Sequence, residues 1–325
     1  MVLNRLFAST ALVAFAGAAS ADIAISGYAE LGITDDSPAA GTPDTSNTQF
    51  HTDVDVTFSM TGETDSGLSF GVSVDLDEAG NLGDSTDNNG TAIFLSGAFG
   101  TLTVGDTDGA MDFALTEIVG PGSLTDQETS HDGFKGSYLD GSYDGQIARY
   151  DYTAGDLSVA VSAEILDTDA TGRSSGYGVG VKYVLNNITL GAGVQKADLA
   201  ASDVQFSANN TTVAEVDATG LSVSGTFGAV TAGLTYVSYD SNQAGFDADH
   251  TSVGISYTQG AMTIGANYGD FDSDTNAQDR DGMALTANYS LGGGATLQAG
   301  YETSDGGAAG ADRGDSWSLG LAMSF

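Results

Sequence analysis

The sequence predicts an all-β fold: a 16-stranded antiparallel transmembrane β-barrel with a long inward-folded third extracellular loop. Three observations predict it. Apolar residues alternate with small or polar ones along most of the chain, the connections alternate in length, and the last segment has one wholly apolar face. Successive side chains of a strand point to opposite faces, so such alternation indicates strands. Lipid is the environment in which an apolar outer face needs no further protein to cover it.

The last segment, 316–325, is the clearest of these strands. Its apolar residues share one parity, and the residues between them are Ser, Gly and Ala. The apolar residues are Trp317, Leu319, Leu321, Met323 and Phe325. A soluble protein rarely leaves such a face on a fraying end, whereas a barrel in lipid closes with a strand of this kind. We therefore predict that Phe325 belongs to the signal for barrel assembly.

The first 21 residues are predicted to be a cleaved secretory signal peptide. A polar start with Arg5 precedes an apolar run at 6–18, and the small residues A-S-A follow at 19–21. The apolar run is too short to span a membrane, and no later run reaches the ~18 residues that a membrane helix needs. We expect the barrel to comprise residues 22–325.

Charge and composition exclude several classes of protein. The chain has 44 Asp and Glu against 8 Lys and Arg, a net charge of −36, so repulsion excludes nucleic acid as a partner. There is no cysteine and hence no disulfide framework. The 46 glycines would indicate disorder in a chain poor in apolar residues, but 41% of the residues are hydrophobic. So much negative charge must face water, in loops or in the lumen of a barrel.

Alternating segments follow one another along the chain. The clearest lie near 54–60, 68–76, 157–165, 177–183, 188–194, 230–236, 253–257, 262–268, 283–291, 297–301 and 316–325. Large apolar residues occupy one face of each, and the other face is mostly small or polar. A soluble sandwich or small barrel needs large apolar side chains inside, so this inner face indicates a water-filled cylinder. Tyrosines at the ends of the apolar faces are predicted to form interfacial girdles. They are Tyr150, Tyr152, Tyr183, Tyr257, Tyr268, Tyr289 and Tyr301.

The lengths of the connections predict the topology. Short links lie near 62–66, 97–100, 153–156, 185–188, 226–229, 258–261 and 291–295. Long links lie near 34–48, 78–90, 106–144, 167–176, 197–215, 240–249, 271–280 and 303–314. Together they join sixteen strands, an even number that places both termini on the periplasmic side and the long loops outside. One strand, near 216–226, is irregular, since Asp217 and Thr219 share parity with Leu221 and Val223.

The third long link, 106–144, is the longest. Loops of such length are usually functional or disordered. This one contains an apolar stretch that includes Met111, Phe113, Leu115 and Ile118. Outside the barrel the stretch would form an exposed apolar patch, which is unusual, so we expect the loop to fold inward and narrow the pore.

Two segments flank this loop. Residues 97–106 read G-A-F-G-T-L-T-V-G-D, and residues 146–153 read Q-I-A-R-Y-D-Y-T. They resemble motifs of the Gram-negative general diffusion porins of the α- and β-proteobacterial type. In that family a strand like G-x-F-G-T-L-T-L-G-R precedes the constriction loop and one like N-S-V-R-Y-D-S-P follows it. The opening strand from Asp22 and the terminal Phe325 are also similar, so the resemblance covers the whole mature chain.

The resemblance implies a homotrimer of sixteen-stranded pores, each narrowed by its third loop. The family lines the constriction with acids on the loop and basic residues on the facing wall. By position Arg149 corresponds to the wall arginine, and it points inward if Tyr150 and Tyr152 face lipid. The implied constriction residues are Asp106, Asp108, Asp112, Glu117, Arg149 and Asp151.

Asp106 departs from the family pattern, which commonly has arginine there. Strict alternation would place it with Leu102 and Val104 on the lipid face. Asp106 can reach water only if the strand ends or bulges at Gly105, which glycine permits.

No constellation of residues indicates catalysis, so we predict that the chain is not an enzyme. The three histidines, His51, His131 and His250, lie in or beside different loops, and none has a second ligand at metal spacing. We predict no firm metal site and no cofactor.

Weak calcium binding is the one metal chemistry that the sequence leaves open. Asp106, Asp108 and Asp112 lie close together in the chain and are weak candidates. Residues 270–281 are similar to a calcium loop, but Thr275 stands where the turn requires glycine. Both segments are interpreted first as solvated acidic loops.

The sequence therefore predicts an outer-membrane porin, a water-filled, cation-preferring channel for passive diffusion of ions and small hydrophilic solutes. Its expected partners are outer-membrane lipid, further copies of the chain, and small solutes and cations. A solute-specific channel is the alternative among pores. A secreted acidic calcium-binding β-protein would explain the charge and the glycines, but not the lipid-type faces. A structural or adhesive barrel is the third alternative, and the small inner face argues against it.

Overall fold

The computed structural model describes residues 22–36, 48–77, 90–117, 120–142, 146–165, 174–199, 214–243, 247–274, 279–306 and 311–325. The predicted signal peptide lies outside these ranges. The strands are β1 Asp22–Asp36, β2 Gln49–Glu63, β3 Ser69–Asp77, β4 Thr91–Gly97, β5 Gly100–Gly105, β6 Ile147–Ala154, β7 Leu157–Glu164, β8 Gly176–Leu185, β9 Ile188–Leu199, β10 Ala214–Phe227, β11 Val230–Ser241, β12 Ala248–Gln259, β13 Met262–Ser273, β14 Arg280–Gly292, β15 Ala295–Gly306 and β16 Ala311–Ser324. Two short helices, α1 Ala110–Ala114 and α2 Gln127–Ser130, lie between β5 and β6.

These strands close into one antiparallel barrel, which confirms the predicted fold class. Each strand pairs with its neighbours in the chain, and β1 pairs with β16. The closure extends to Phe325, which exchanges backbone hydrogen bonds of 3.2 and 2.8 Å with Gly27. A closed sheet leaves no strand edge unpaired, and this is the condition for a sheet that spans lipid.

The links alternate in length as predicted, with one departure in the last of them. Short turns such as 186–187 and 228–229 join strands at one end of the barrel, and the long links join them at the other. The departure is the link predicted at 303–314, because β15 runs to Gly306 and β16 begins at Ala311. Both strand ends are rich in Asp, Ser and Gly, so no apolar alternation marks them in the sequence.

The outer surface of the barrel carries the apolar faces. All seven girdle tyrosines are exposed on it, as predicted. The irregular strand β10 follows the same rule, since Asp217 and Thr219 do face outward with Leu221 and Val223. They lie at the long-loop end of the strand, beyond the apolar band, where polar head groups replace hydrocarbon.

The long third loop occupies the inside of the barrel. Helix α1 lies against β7, β8 and β9, and α2 lies against β14 and β15. Between the two helices, the side chain of Leu124 lies against Gly32 of β1 and Gly320 of β16. Within the described residues the loop thus follows the inner wall from β6 round to β16 and β1. No helix in the described ranges is long and apolar enough to cross a membrane.

Inward-facing glycines let the loop lie directly on the wall. A Cβ atom at Gly180 would overlap the carbonyl oxygen of Ala110, and one at Gly269 would overlap that of Gly133. Backbone therefore meets backbone at these points, which only glycine allows. Other inward glycines meet loop side chains in the same way, at Gly193, Gly220, Gly265, Gly300 and Gly320.

Part of the lumen is a true hydrophobic core, which departs from the small, polar inner face that the sequence predicts. Loop residues Met111, Leu115, Tyr138 and Leu139 are buried against inward side chains of β9 to β13. The wall side of this core consists of Ala197, Leu199, Val216, Ala218, Val237, Tyr239, Ala248 and Phe271. Burial of apolar surface contributes ~25 cal/mol per Å² to folding, so this core helps to hold the loop inside the barrel.

The glycine contact predicts a difference between two substitutions to leucine. Gly180→Leu forces α1 off β8 and is expected to lower the free energy of unfolding by roughly 1–3 kcal/mol or more, as overpacking does. Ala192→Leu, on the outward face of the neighbouring strand β9, adds apolar surface towards lipid and is expected to be neutral. Heat-induced unfolding in detergent, followed by gel mobility, measures both. Equal unfolding temperatures for the two variants would contradict the direct contact.

Candidate pore constriction

The neck of the loop is held by two aspartates. Strand β5 ends at Gly105, whose φ is 125°, and the chain turns there towards water. Asp106 is half-buried and its Oδ2 accepts a 2.7 Å hydrogen bond from the N–H of Gly90. At the other end of the loop, Asp140 Oδ2 accepts a 2.7 Å hydrogen bond from the N–H of Gly109 and Oδ1 accepts one from the Gln195 amide. The loop's first and last turns are thus tied together and to β9.

Arg149 and Asp151 lie on the inward face of β6, because Tyr150 and Tyr152 face outward. The Arg149 side chain is only 13% exposed. Its Nη1 donates to the carbonyl oxygen of Asp108 at 2.7 Å, and its Nε lies 3.4 Å from Asp151 Oδ1. The guanidinium therefore links the wall to the start of the loop.

Phe113 on α1 brings a second basic residue into this contact. The guanidinium carbon of Arg149 and the Nζ of Lys182 each lie 4.7 Å from the centre of the Phe113 ring. Cation–π contacts of this kind contribute about 0.5–2 kcal/mol each, more when the cation is desolvated. The two bases of β6 and β8 thus share one aromatic partner on the loop.

The remaining predicted constriction acids have different surroundings. Asp108 is exposed, and Glu117 is half-buried beside Gly136 on the returning part of the loop. Asp112 is only 7% exposed, on the side of α1 that packs among buried residues. Of the six residues, Asp112 is thus the one that is buried.

Polar contacts anchor the far part of the loop. Gln127 Oε1 accepts a 2.8 Å hydrogen bond from the hydroxyl of Ser318 on β16. His131 Nε2 lies 3.0 Å from Asn267 Oδ1 on β13, and His250 Nε2 on β12 lies 2.9 Å from the carbonyl oxygen of Gly133. His131 and His250, which lie far apart in the sequence, therefore fasten the same stretch of loop to the adjacent strands β13 and β12.

The inward face of β1 to β3 is acidic. The loop reaches this part of the wall at Gly32 of β1, and Glu30, Asp53 and Asp55 are buried. Glu30 of β1, Asp53 and Asp55 of β2, and Asp75 of β3 share the inward parity, and we call this set the acidic wall. Glu30 accepts hydrogen bonds from Tyr28 and lies 3.1 Å from His51 Nε2. The sequences of β1 to β5 contain no Lys or Arg.

No metal site is assembled in the described part of the chain. No three His, Cys, Asp or Glu side chains among the described residues are placed to hold a metal ion. The weak calcium candidates Asp106, Asp108 and Asp112 form no such group among the described residues. Asp270 and Asp272 belong to the outward face of β13, and residues 275–278 of this segment lie outside the described residues.

Comparison with known proteins identifies the family. The profile of the Gram-negative porin family matches residues 8–322, nearly the whole chain. The chain belongs to the Gram-negative porins. A porin of Rhodobacter capsulatus is 36% identical over 156 residues, which are 44% of this chain and 48% of that protein. The match thus spans about half the length of this curated relative.

Solved structures agree with the barrel of this porin. A refined porin structure superposes with a TM-score of 0.70 at 26% identity, covering 94% of this chain and 100% of that chain. A triple mutant of the Rhodopseudomonas blastica porin superposes with a TM-score of 0.64 at 19% identity, over 94% of this chain and 100% of that chain. At that identity the second likeness concerns the fold alone. The family and the barrel together indicate an outer-membrane channel.

Several residues of the constriction were not found by sequence reasoning. Lys182 looks like an ordinary strand residue, and the acidic wall is scattered over three strands. Contacts between distant strands and a loop have no spacing in the sequence that could reveal them. One signal was present, because glycines on the inward parity, such as Gly180 and Gly269, mark the path of the loop.

Burial inside the barrel shifts the acidity of loop residues. It raises the pKa of Glu128 to about 8, although hydrogen bonds from Ser123 favour the charged form. It also raises the pKa of Asp140 to about 7, against the hydrogen bond from Gly109. Burial lowers the pKa of His131 to about 4. At neutral pH Glu128 and His131 are therefore both uncharged in the docked loop.

Docking of the loop is expected to weaken in alkali. The pKa of Glu128 is raised from 4.5 to about 8, so its stabilising effect is complete below pH 4.5 and is lost as the pH rises through about 8. Tryptic cleavage after Lys135, corrected for the activity of trypsin itself, should therefore accelerate as the pH rises towards about 8 and should level off above it. Glu128→Gln should reduce this acceleration, because the side chain no longer ionises.

Asp132→Asn is the matched control for this experiment. It removes one acid from the same loop at a half-exposed position, so the acceleration should persist. The same pH profile in the Glu128→Gln variant and the unmodified protein would contradict the role of Glu128.

Proposed function

We propose that this porin is a passive, water-filled channel that prefers cations and passes ions and small hydrophilic solutes. The acidic wall carries the proposal. Its four carboxylates face inward from strands without a single Lys or Arg, across from a loop that is itself rich in acids. We further propose export by the predicted signal peptide at 1–21.

The field inside such a pore favours cations for a physical reason. Lipid and barrel form a low-dielectric wall, which focuses the field of the carboxylates on ions in the narrow passage. Salt screens this field over ~10 Å at 0.1 M and ~3 Å at 1 M. Among the described residues the inward bases of β6 and β8 are held against Asp108, Asp151 and Phe113, and the inward Arg280 of β14 lies against the Phe271 ring. These bases therefore offset the acidic wall only in part.

The lengths of the strands support a homotrimer. Strand β5 has 6 residues and β4 has 7. At ~3.3 Å per residue and a tilt of ~45°, each rises only about 15 Å, less than the ~25 Å apolar band of a membrane barrel. The two strands thus span only part of the band, and their outward residues include the exposed Ile93 and Val104. A second copy of the chain is the surface that we propose covers them.

Outward carboxylates distinguish the strands from β10 round to β1 from the short strands and their neighbours. Each strand from β10 to β16, and β1 as well, carries an outward aspartate near its long-loop end. These residues are Asp217, Asp240, Asp249, Asp270, Asp281, Asp305, Asp315 and Asp35. The outward faces of β2 to β5 carry no acid in the described residues. We assign the acidic arc to lipid head groups and the uncharged arc to the neighbouring subunit.

The alternative of a secreted acidic calcium-binding protein is less well supported. It would not require a closed barrel with an apolar exterior, and the described acids form no ligand set. A solute-specific channel differs from our proposal only in the passage itself, and no described feature favours one solute.

Ion selectivity tests the proposed function directly. In planar bilayers with a dilute KCl gradient, potassium should permeate several-fold better than chloride, and the preference should shrink at ~1 M salt. The triple variant Asp53→Asn, Asp55→Asn, Asp75→Asn should move the reversal potential towards zero.

A matched control tests whether the position of the acids, and not only their number, determines the ion selectivity. Asp249→Asn, Asp270→Asn and Asp305→Asn remove the same number of acids from the outer face, so the reversal potential should stay in place. A wild-type potential that favours chloride would refute the proposed preference.

Assembly is tested by fractionation and gel mobility. The processed protein should be found in the outer membrane and should run as an oligomer in detergent gels until it is boiled, because closed barrels with covered interfaces resist detergent. Val104→Asp places a charge in the proposed interface and should yield monomers. Val223→Ala, on the lipid arc, should remain oligomeric. Recovery of the protein as a soluble periplasmic monomer would end the proposal.

A further inference from the structure

The contact of Phe113 with two cations leads to an inference about selectivity. Arg149 and Lys182 both lie 4.7 Å from one ring centre, so their charges are held within about 10 Å of each other. Like charges repel, and long basic side chains in a water-filled lumen gain entropy by extending into it. Something must therefore hold both heads at the wall.

The described contacts show what holds them. Arg149 donates to the carbonyl oxygen of Asp108 and lies beside Asp151, which leaves its side chain 13% exposed. The Nζ of Lys182 lies against the Phe113 ring, which also covers Arg149, and the carboxylates of Asp112 and Asp108 attract the ammonium as well. The ring itself is fixed because α1 packs on β7 to β9 and the Ala110 N–H donates to Ser162 Oγ at 2.8 Å.

We propose that Phe113 is a selectivity-determining residue, which excludes anions from the passage by holding the guanidinium of Arg149 and the ammonium of Lys182 back against the wall. Without the ring the two heads extend towards the passage and present a pair of positive charges to chloride or to anionic solutes. This inference rests on the proposed function as a diffusion channel. It predicts how substitution of Phe113 changes the ratio of potassium to chloride permeability, whichever ion the wild type prefers.

The test compares four channels in a KCl gradient with ~0.1 M on the dilute side, where charges are screened over ~10 Å. Phe113→Leu removes the aromatic face and keeps an apolar side chain, so the ratio of potassium to chloride permeability should fall at least about two-fold. Phe113→Tyr keeps the face and should match the wild type. Phe134→Leu removes a loop aromatic that contacts His131 and should also match it.

A double-mutant cycle decides whether the effect acts through the bases. Arg149→Met with Lys182→Met should raise the permeability ratio more in the Phe113→Leu background than beside an intact Phe113. An equal rise in both backgrounds, or a Phe113→Leu channel with the wild-type ratio, overturns the proposal. If the wild type prefers chloride and Phe113→Leu still shifts the ratio further towards chloride, the proposed cation preference fails and this inference stands.

A second measurement needs no substitution and so does not depend on the folding of any variant. Acetic anhydride at limiting concentration modifies lysines according to their accessibility. Lys182 should be acetylated several-fold more slowly than Lys196, whose side chain is 47% exposed on the outer face. Equal rates for the two lysines would show that the ring does not hold Lys182 and would overturn the proposal.

Discussion

The need to pair every strand edge in lipid is the constraint on which the rest of this structure depends. It is met by pairing β1 with β16, down to the backbone bonds between Gly27 and Phe325. Closure on sixteen strands makes a cylinder too wide for its own side chains to fill. The inside must then hold water, loop or both, and in this chain the described part of the third loop lies inside.

The loop is held inside by three kinds of contact that act at different places. Backbone lies on backbone at glycines such as Gly180, apolar side chains pack between α1 and β9 to β13, and polar bonds at Gln127 and His131 fasten the far end. The backbone contacts require glycine, the apolar contacts exclude water, and the polar contacts fix the orientation of the loop on the wall. Together they hold the described part of the loop along the wall from β6 round to β1, and the acidic wall lies on β1 to β3.

The distribution of charge follows from this arrangement. The inward bases Arg149 and Lys182 lie against the loop at Phe113, and Arg280 lies against Phe271 of the wall. The strands β1 to β5 carry acids and His51 but no Lys or Arg. The family resemblance implied acids on the loop facing bases on the wall, and Arg149 does meet the start of the loop at Asp108. The loop acid Asp112 is buried, and carboxylates on β1 to β3 add an acidic wall that the sequence did not indicate.

The sequence by itself determined the barrel, its strand number, the short and long ends and the inward loop, because period-two alternation and link length are local properties of the chain. It also indicated Arg149 as inward, since Tyr150 and Tyr152 fix the parity of β6. Only the tertiary structure decided that Phe113 meets Lys182, that His131 and His250 fasten one stretch of loop, and that Glu30 joins Asp53 in the acidic wall. These contacts join residues far apart in the chain, and the register that brings them together is set by barrel closure, which no local pattern encodes.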